Sequence, residues 1–248
     1  MILSPFDAHS ALPAAKPVPW RPGQAAHAAR HAEIFASAAE ATGAAMALAF
    51  AQDEVADDER LWLWVQDKAA LRLTGRPYRP GLPQGLRHRL IHVATQSPED
   101  ALFALEEALR CRDLAFVIGE ISGNPKALSL TASRRLSLVA ERHGVPLWLV
   151  RLGAARDLSS ARLRWQAHAA PSAPPRWNPR APGAPAWHAE LFRARGHPPG
   201  EWLLGEGDGG LVASVGGWPS TGSGRAGFGK APDTRPARPE LVEAHAHG

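Results

Sequence analysis

Glycine-lysine loops and strand-end carboxylates are the features of this chain that could do chemistry. Gly224, Arg225, Ala226, Gly227, Phe228, Gly229, Lys230 and Ala231 fit the nucleotide-loop pattern Gly-x-x-x-x-Gly-Lys-Ser/Thr except at the last place, where a hydroxyl would hold magnesium. No strand-like run precedes this tract and Pro232 follows it, so its amides are not fixed to converge on a phosphate. It reads as a flexible glycine stretch. Glu120 and Asp67 each close an apolar run, where an acid could bridge a metal, act as a general base, or simply end a strand in solvent. The structural reading is preferred for both, because no lysine stands upstream to complete a phosphate site. Lys68 follows Asp67 and adds little. The hydrolase elbow Gly-x-Ser-x-Gly does not occur. The 11 histidines suggest no triad, and His245 and His247 lie near the carboxyl terminus.

A second kind of chemistry is binding. Between residues 161 and 200, six arginines (Arg162, Arg164, Arg176, Arg180, Arg193 and Arg195) face one acid, Glu190. They are interleaved with Trp165, Trp177 and Trp187, so guanidinium groups could track phosphates while indoles stack on bases. Arg162, Arg164, Trp165, Arg176, Trp177 and Arg180 are therefore the candidate contacts for nucleic acid or a partner protein. The plainer alternative is a solvated strand face, with Trp165 and Trp187 pointing inward.

These groups need a scaffold. The run from 114 to 124 reads as a strand buried on both faces, with a helical pattern before it from 98 to 112 and another after it from 127 to 143. A further strand spans 145–152. That order is the crossover unit of a parallel sheet, whose ligands lie beyond the carboxyl ends of the strands. Upstream, 31–36 and 61–66 read as strands, 38–52 as a helix, 69–89 as an irregular excursion and 90–94 as a third short strand. Residues 24–30 could form a short helix. Downstream, 162–168 alternates Leu163, Trp165 and Ala167 against Arg162, Arg164, Gln166 and His168, as on a half-solvated antiparallel strand. Residues 187–194 and 201–204 look like two more strands.

A helix directly after a strand is the geometry of a phosphate loop, yet 36–43 reads Ala-Ser-Ala-Ala-Glu-Ala-Thr-Gly. It has no lysine, and Glu40 would repel a phosphate. No cofactor and no metal are therefore expected. The fold class is α/β: a mostly parallel sheet flanked by helices with a carboxyl-terminal antiparallel extension. The expected organisation is a flexible lead over 1–23, the α/β domain over 24–205 and a disordered Gly/Pro-rich tail over 206–248.

The formal charge of +4 and a pI near 9.8 do not demand nucleic acid. Cys111 is the only cysteine, which excludes an internal disulfide and a cysteine metal site. With no basic start followed by a long apolar run, and no eighteen consecutive apolar residues, a cytoplasmic protein without an export signal or membrane span is expected.

The order of these elements resembles the RecA core, with the Gly-Lys-Thr loop missing at 36–43 and only Glu120 at the metal-side acid position. The closer resemblance is to the ImuA family. It rests on Leu130-Thr131-Ala132-Ser133-Arg134-Arg135-Leu136 with Glu141, on Ala161-Arg162-Leu163-Arg164-Trp165, and on the strands from Trp187 to Leu204. It covers about residues 25–205. The resemblance implies a non-catalytic accessory factor of SOS-induced translesion synthesis, acting with an ImuB-type Y-family polymerase homologue and an error-prone replicative-type DNA polymerase. RecA and DNA are further partners to test. No catalytic residue carries over. The rival readings are a single-stranded DNA-binding module and a nucleotide-dependent ATPase, and the tail could fold onto the polymerase-like partner.

Overall fold

Short apolar runs bounded by turn formers make the parallel half of one sheet. In this computed structural model the described residues are 22, 30–55, 57–172, 174–175, 177–178, 180–207 and 210–215, and they belong to the unit Met1–Trp218. Of the lead expected over 1–23 only Pro22 is described, and of the short helix expected over 24–30 only Arg30; Arg176 and the chain from 216, including the glycine-lysine tract, lie outside the described residues.

Strands β1 (His31–Ala36), β2 (Leu61–Gln66), β3 (Leu90–Ala94), β4 (Leu114–Ser122) and β5 (Leu147–Leu152) are all parallel. Then β6 (Leu163–Ala169), β7 (Ala186–Ala194), β8 (Gly200–Gly207) and β9 (Gly210–Val215) extend the sheet, in the order β3-β2-β4-β5-β1-β6-β7-β8-β9. The β6 strand pairs parallel with β1 and antiparallel with β7. It joins the two halves and is not a purely antiparallel strand. β9 corrects the expectation of a disordered tail from 206, since residues 210–215 pair with β8.

Helices α1 (Thr42–Glu54), α2 (Lys68–Thr74), α3 (Gln84–Arg87), α4 (Pro98–Arg110) and α5 (Leu130–His143) flank the sheet. Their starts follow capping chemistry. The Ser97 hydroxyl accepts from Asp100 N at 3.1 Å, with Pro98 at the first helical position. The Ser129 hydroxyl accepts from Ala132 N, so α5 begins at Leu130 and not at 127. Gly144 ends α5 at φ 73°, a conformation glycine adopts without strain.

Two cores result. Leu105 and Leu109 of α4 and Leu136 and Ala140 of α5 cover Val65, Val117, Ile121, Leu147 and Leu149 on one face. On the other, Met46 and Phe50 of α1 meet Ile34, Phe116, Trp148 and Trp165, and Phe50 lies 5.1 Å from the Trp165 ring and 5.4 Å from Trp148. Trp165 and Trp187 are both buried, in keeping with the inward alternative. No described helix is long and apolar enough to cross a membrane.

Candidate functional site

The loop between β1 and α1 is where a nucleotide would be held. The Ser37 hydroxyl accepts from Ala39 N at 3.1 Å, keeping 37–41 out of the helix, which therefore starts at Thr42 and not at 38. Glu40 Oε2 accepts from the Thr42 hydroxyl at 2.9 Å and from Ala169 N, at the end of β6, at 3.1 Å. The Thr42 bond first, and the Ala169 amide second, hold the Glu40 carboxyl below its ordinary range. A carboxylate thus stands in the loop that precedes α1, where its charge disfavours a phosphate. The helix is also pressed onto the sheet. A Cβ at Gly43 would come within 2.7 Å of Val150 Cγ1 and 2.8 Å of Ala36 Cβ.

Glu120 is not a solvated strand end. It is 1% exposed, and α2 closes over it. Its Oε2 accepts from Gln66 Nε2 at 2.5 Å and from the Thr74 hydroxyl at 3.3 Å. Gln66 also donates to Gly75 O at 3.0 Å and bonds His92 Nε2 through its Oε1 at 2.8 Å. Burial raises the Glu120 carboxyl above the usual carboxylate range, against the opposing pull of Gln66, Trp64 and Thr74. Burial disfavours the charged form, and the donors from Gln66 and Thr74 favour it.

Asp67 is likewise buried and structural. Its Oδ1 caps α2 through Ala70 N at 2.6 Å, and its Oδ2 accepts from Ser122 N at 3.3 Å, tying the ends of β2 and β4. Among the described residues, no group of three His, Cys, Asp or Glu is arranged to hold a metal ion.

The basic segment divides. Arg164 is buried at 3% exposure, which corrects the half-solvated face expected for β6 at that position, while Gln166 is half-buried and His168 exposed. Its Nε donates to Glu33 Oε2 at 2.7 Å and its Nη2 to Asp157 Oδ1 at 3.4 Å. Arg151 joins the same cluster, donating to Asp157 Oδ2 at 3.0 Å and to Gly123 O at 3.2 Å, with Glu33 Oε1 3.6 Å from its Nη1. Ser159 supplies a further hydrogen bond to Glu33 at 2.8 Å. Both guanidinium groups lie over the Phe35 ring, at 5.3 and 5.1 Å. For Asp157, burial works to raise the carboxyl. The hydrogen bonds from Arg151 and Asn124 and the charges of Arg151 and Arg164 outweigh it, and the group sits below its ordinary range.

Arg162 is tied to Glu141 at 2.6 Å. Trp165 is buried. By contrast Trp177 is 81% exposed and Arg180 is exposed, on the loop between β6 and β7. Of the six candidates Arg176 lies outside the described residues, Arg164 and Trp165 are buried, and Trp177 and Arg180 are on the surface. Sequence reasoning missed Glu33, Arg151 and Asp157. A signal was present: Glu33 and Arg151 are opposite charges inside two otherwise apolar strands, HAEIFA and LWLVRL, which pair in parallel.

No protein-family profile matches the chain. It is similar to the curated proteins named Protein ImuA from two strains of Caulobacter vibrioides, each 36% identical over 155 residues. The match covers 57% of this chain and 59% of each relative, so the chain spans about 59% of the length of the curated proteins it matches.

Proposed function

From that similarity we propose that the chain is a member of the ImuA family and a non-catalytic accessory protein of damage-induced mutagenesis. In this reading it helps assemble an error-prone translesion complex with an ImuB-type Y-family polymerase homologue and a replicative-type DNA polymerase. The observation that carries the reading is the β1–α1 loop. There no lysine is present, and the Glu40 carboxylate, bonded by the Thr42 hydroxyl and the Ala169 amide, stands in the loop that leads into the helix. An acid and no lysine in that loop disfavour a bound phosphate, which suits a frame that holds other macromolecules.

The test is co-expression of the tagged full chain with the products of its neighbouring genes, followed by affinity capture in a salt series. The reading expects a polymerase-like neighbour to be retained in near-stoichiometric amount. Capture of the chain alone would contradict it. Because β8 and β9 continue to Val215, a deletion that asks whether the tail takes part should begin at residue 216.

A second reading, contact with single-stranded DNA, draws on the exposure of Trp177 and of Arg180 on the same loop. Fluorescence anisotropy with a labelled single-stranded oligonucleotide should then show binding that weakens as salt rises. Trp177→Ala should lower affinity about tenfold, the scale of one base–indole stack. Absence of binding at low salt would remove this reading.

A further inference from the structure

Helix α1 is apolar nearly all round. Met46, Ala47, Phe50 and Ala51 face the sheet, while the opposite side carries Ala45, Leu48, Ala49 and Val55, with Gln52 as its polar residue. A helix of that pattern is one meant to be covered on both sides. Its outward side instead lines a groove of about 770 Å³, bounded by the 80–89 segment and by β7 and β9. Leu48, Leu86, Trp187 and Leu211 supply much of its apolar wall.

The charges at this groove have one sign. Arg87 and Arg89 line it, and no carboxylate does among the described residues. Arg89 is occupied, donating from Nε to Gly85 O at 2.6 Å and from Nη1 to Arg60 O at 3.1 Å. Arg87 is only half satisfied. Its Nη2 donates to Leu82 O at 3.1 Å, but its buried Nε–H has no acceptor among the described residues. A buried, unpaired guanidinium N–H is costly and calls for an anionic acceptor.

We propose that this groove is a docking site for a partner protein's peptide segment that inserts large apolar side chains beside α1 and presents a carboxylate to Arg87. The volume exceeds what one side chain fills, and two arginines without an opposing acid complement an acidic segment rather than a basic one. The site lies along the outer face of α1, away from the Glu40 loop. It rests on the accessory-protein reading only in taking the occupant to be a protein.

The experiment is a random-peptide display selection on the purified full chain, counter-screened against Leu48→Glu, with Arg87→Gln as a milder variant. Circular dichroism and melting temperature establish that each variant is folded. The expected result is an enriched consensus with two or more large apolar residues and an Asp or Glu. Its binding should weaken about tenfold in Leu48→Glu. Changing the peptide acid to its amide should weaken binding to the natural chain about tenfold, and to Arg87→Gln hardly at all.

Enriched peptides that are basic, that ignore both substitutions, or that fail to emerge would overturn the proposal. So would a Leu48→Glu chain that loses stability while peptide selection is unchanged, since the groove would then be covered by the chain's own residues. The selection uses the isolated protein, so its failure leaves the neighbouring-gene capture untouched.

Discussion

Arg164 Nε donates to Glu33 Oε2 at 2.7 Å across the β1–β6 pair, with both side chains buried. The pair binds the parallel half of the sheet to its antiparallel extension, and Arg151 and Asp157 complete the charge balance around it. Removing Glu33 leaves two buried cations facing Asp157 alone. Glu33→Ala should therefore lower unfolding stability by about 3–5 kcal/mol in urea titration, the scale for breaking a buried ion pair. In Glu33→Gln/Arg164→Met, the loss should be smaller than the sum of the two single losses, because neither charge is left alone. Additive losses would contradict the coupling.

Gly43→Ala tests the close approach of α1 to the sheet. Alanine is the better helix former, by about 1 kcal/mol. Its Cβ, however, would meet Val150 Cγ1 and Ala36 Cβ at 2.7 and 2.8 Å. The expected outcome is net destabilisation of about 1–3 kcal/mol, from overpacking. A more stable variant would mean that α1 has room to lift.

Glu54, the last residue of α1, is partly buried and its carboxyl is pushed up to about 7, with Arg30 Nη1 donating to it at 3.0 Å. Burial is the cause, and Arg30 only partly offsets it. The folded chain holds this proton more tightly than the unfolded one. Its stabilising contribution is therefore complete below pH 4.5 and is lost as pH rises through 7. Glu54→Gln should match the natural chain near pH 4.5 and exceed it by about 1–3 kcal/mol at pH 8. A variant less stable at pH 8 would contradict this.

His31 works in the opposite sense. Burial lowers it to about 4; Arg164 and Arg151 add to the effect, while Glu33 and Glu141 oppose it. Its Nδ1 bonds the Ser137 hydroxyl at 2.8 Å. Between pH 6.5 and 4 the unfolded chain takes up a proton that the folded chain refuses, so stability falls as pH drops through that window. The windows of His31 and Glu54 overlap with opposite signs. Each is read as variant minus natural chain, and His31→Gln should show a shallower acid decline than the natural chain.

The parallel half of the fold was legible because buried parallel strands are near-continuous apolar runs. β1, β2 and β3 begin and end where those runs do. β9 was not legible, since glycines surround Leu211 and Val212 and only its pairing with β8 makes it a strand. The site was misread at Arg164 for a related reason. Alternating polarity signals solvent on one face only when nothing covers that face, and here Glu33, Asp157 and Phe35 receive the guanidinium. Glu120 was placed at the right strand end, but α2, which encloses it, is seven residues that carry no strong helical pattern. Glu40 and the lack of a lysine over 36–43 are visible in one line of sequence, whereas the bonds of Glu40 to Thr42 and Ala169 are not.

Calorimetric titration of the full chain with ATP and magnesium, with phosphate release followed in parallel, tests the central claim most directly. The account predicts no saturable binding at millimolar nucleotide and no turnover. Tight binding with hydrolysis that Glu120→Gln abolishes would contradict it.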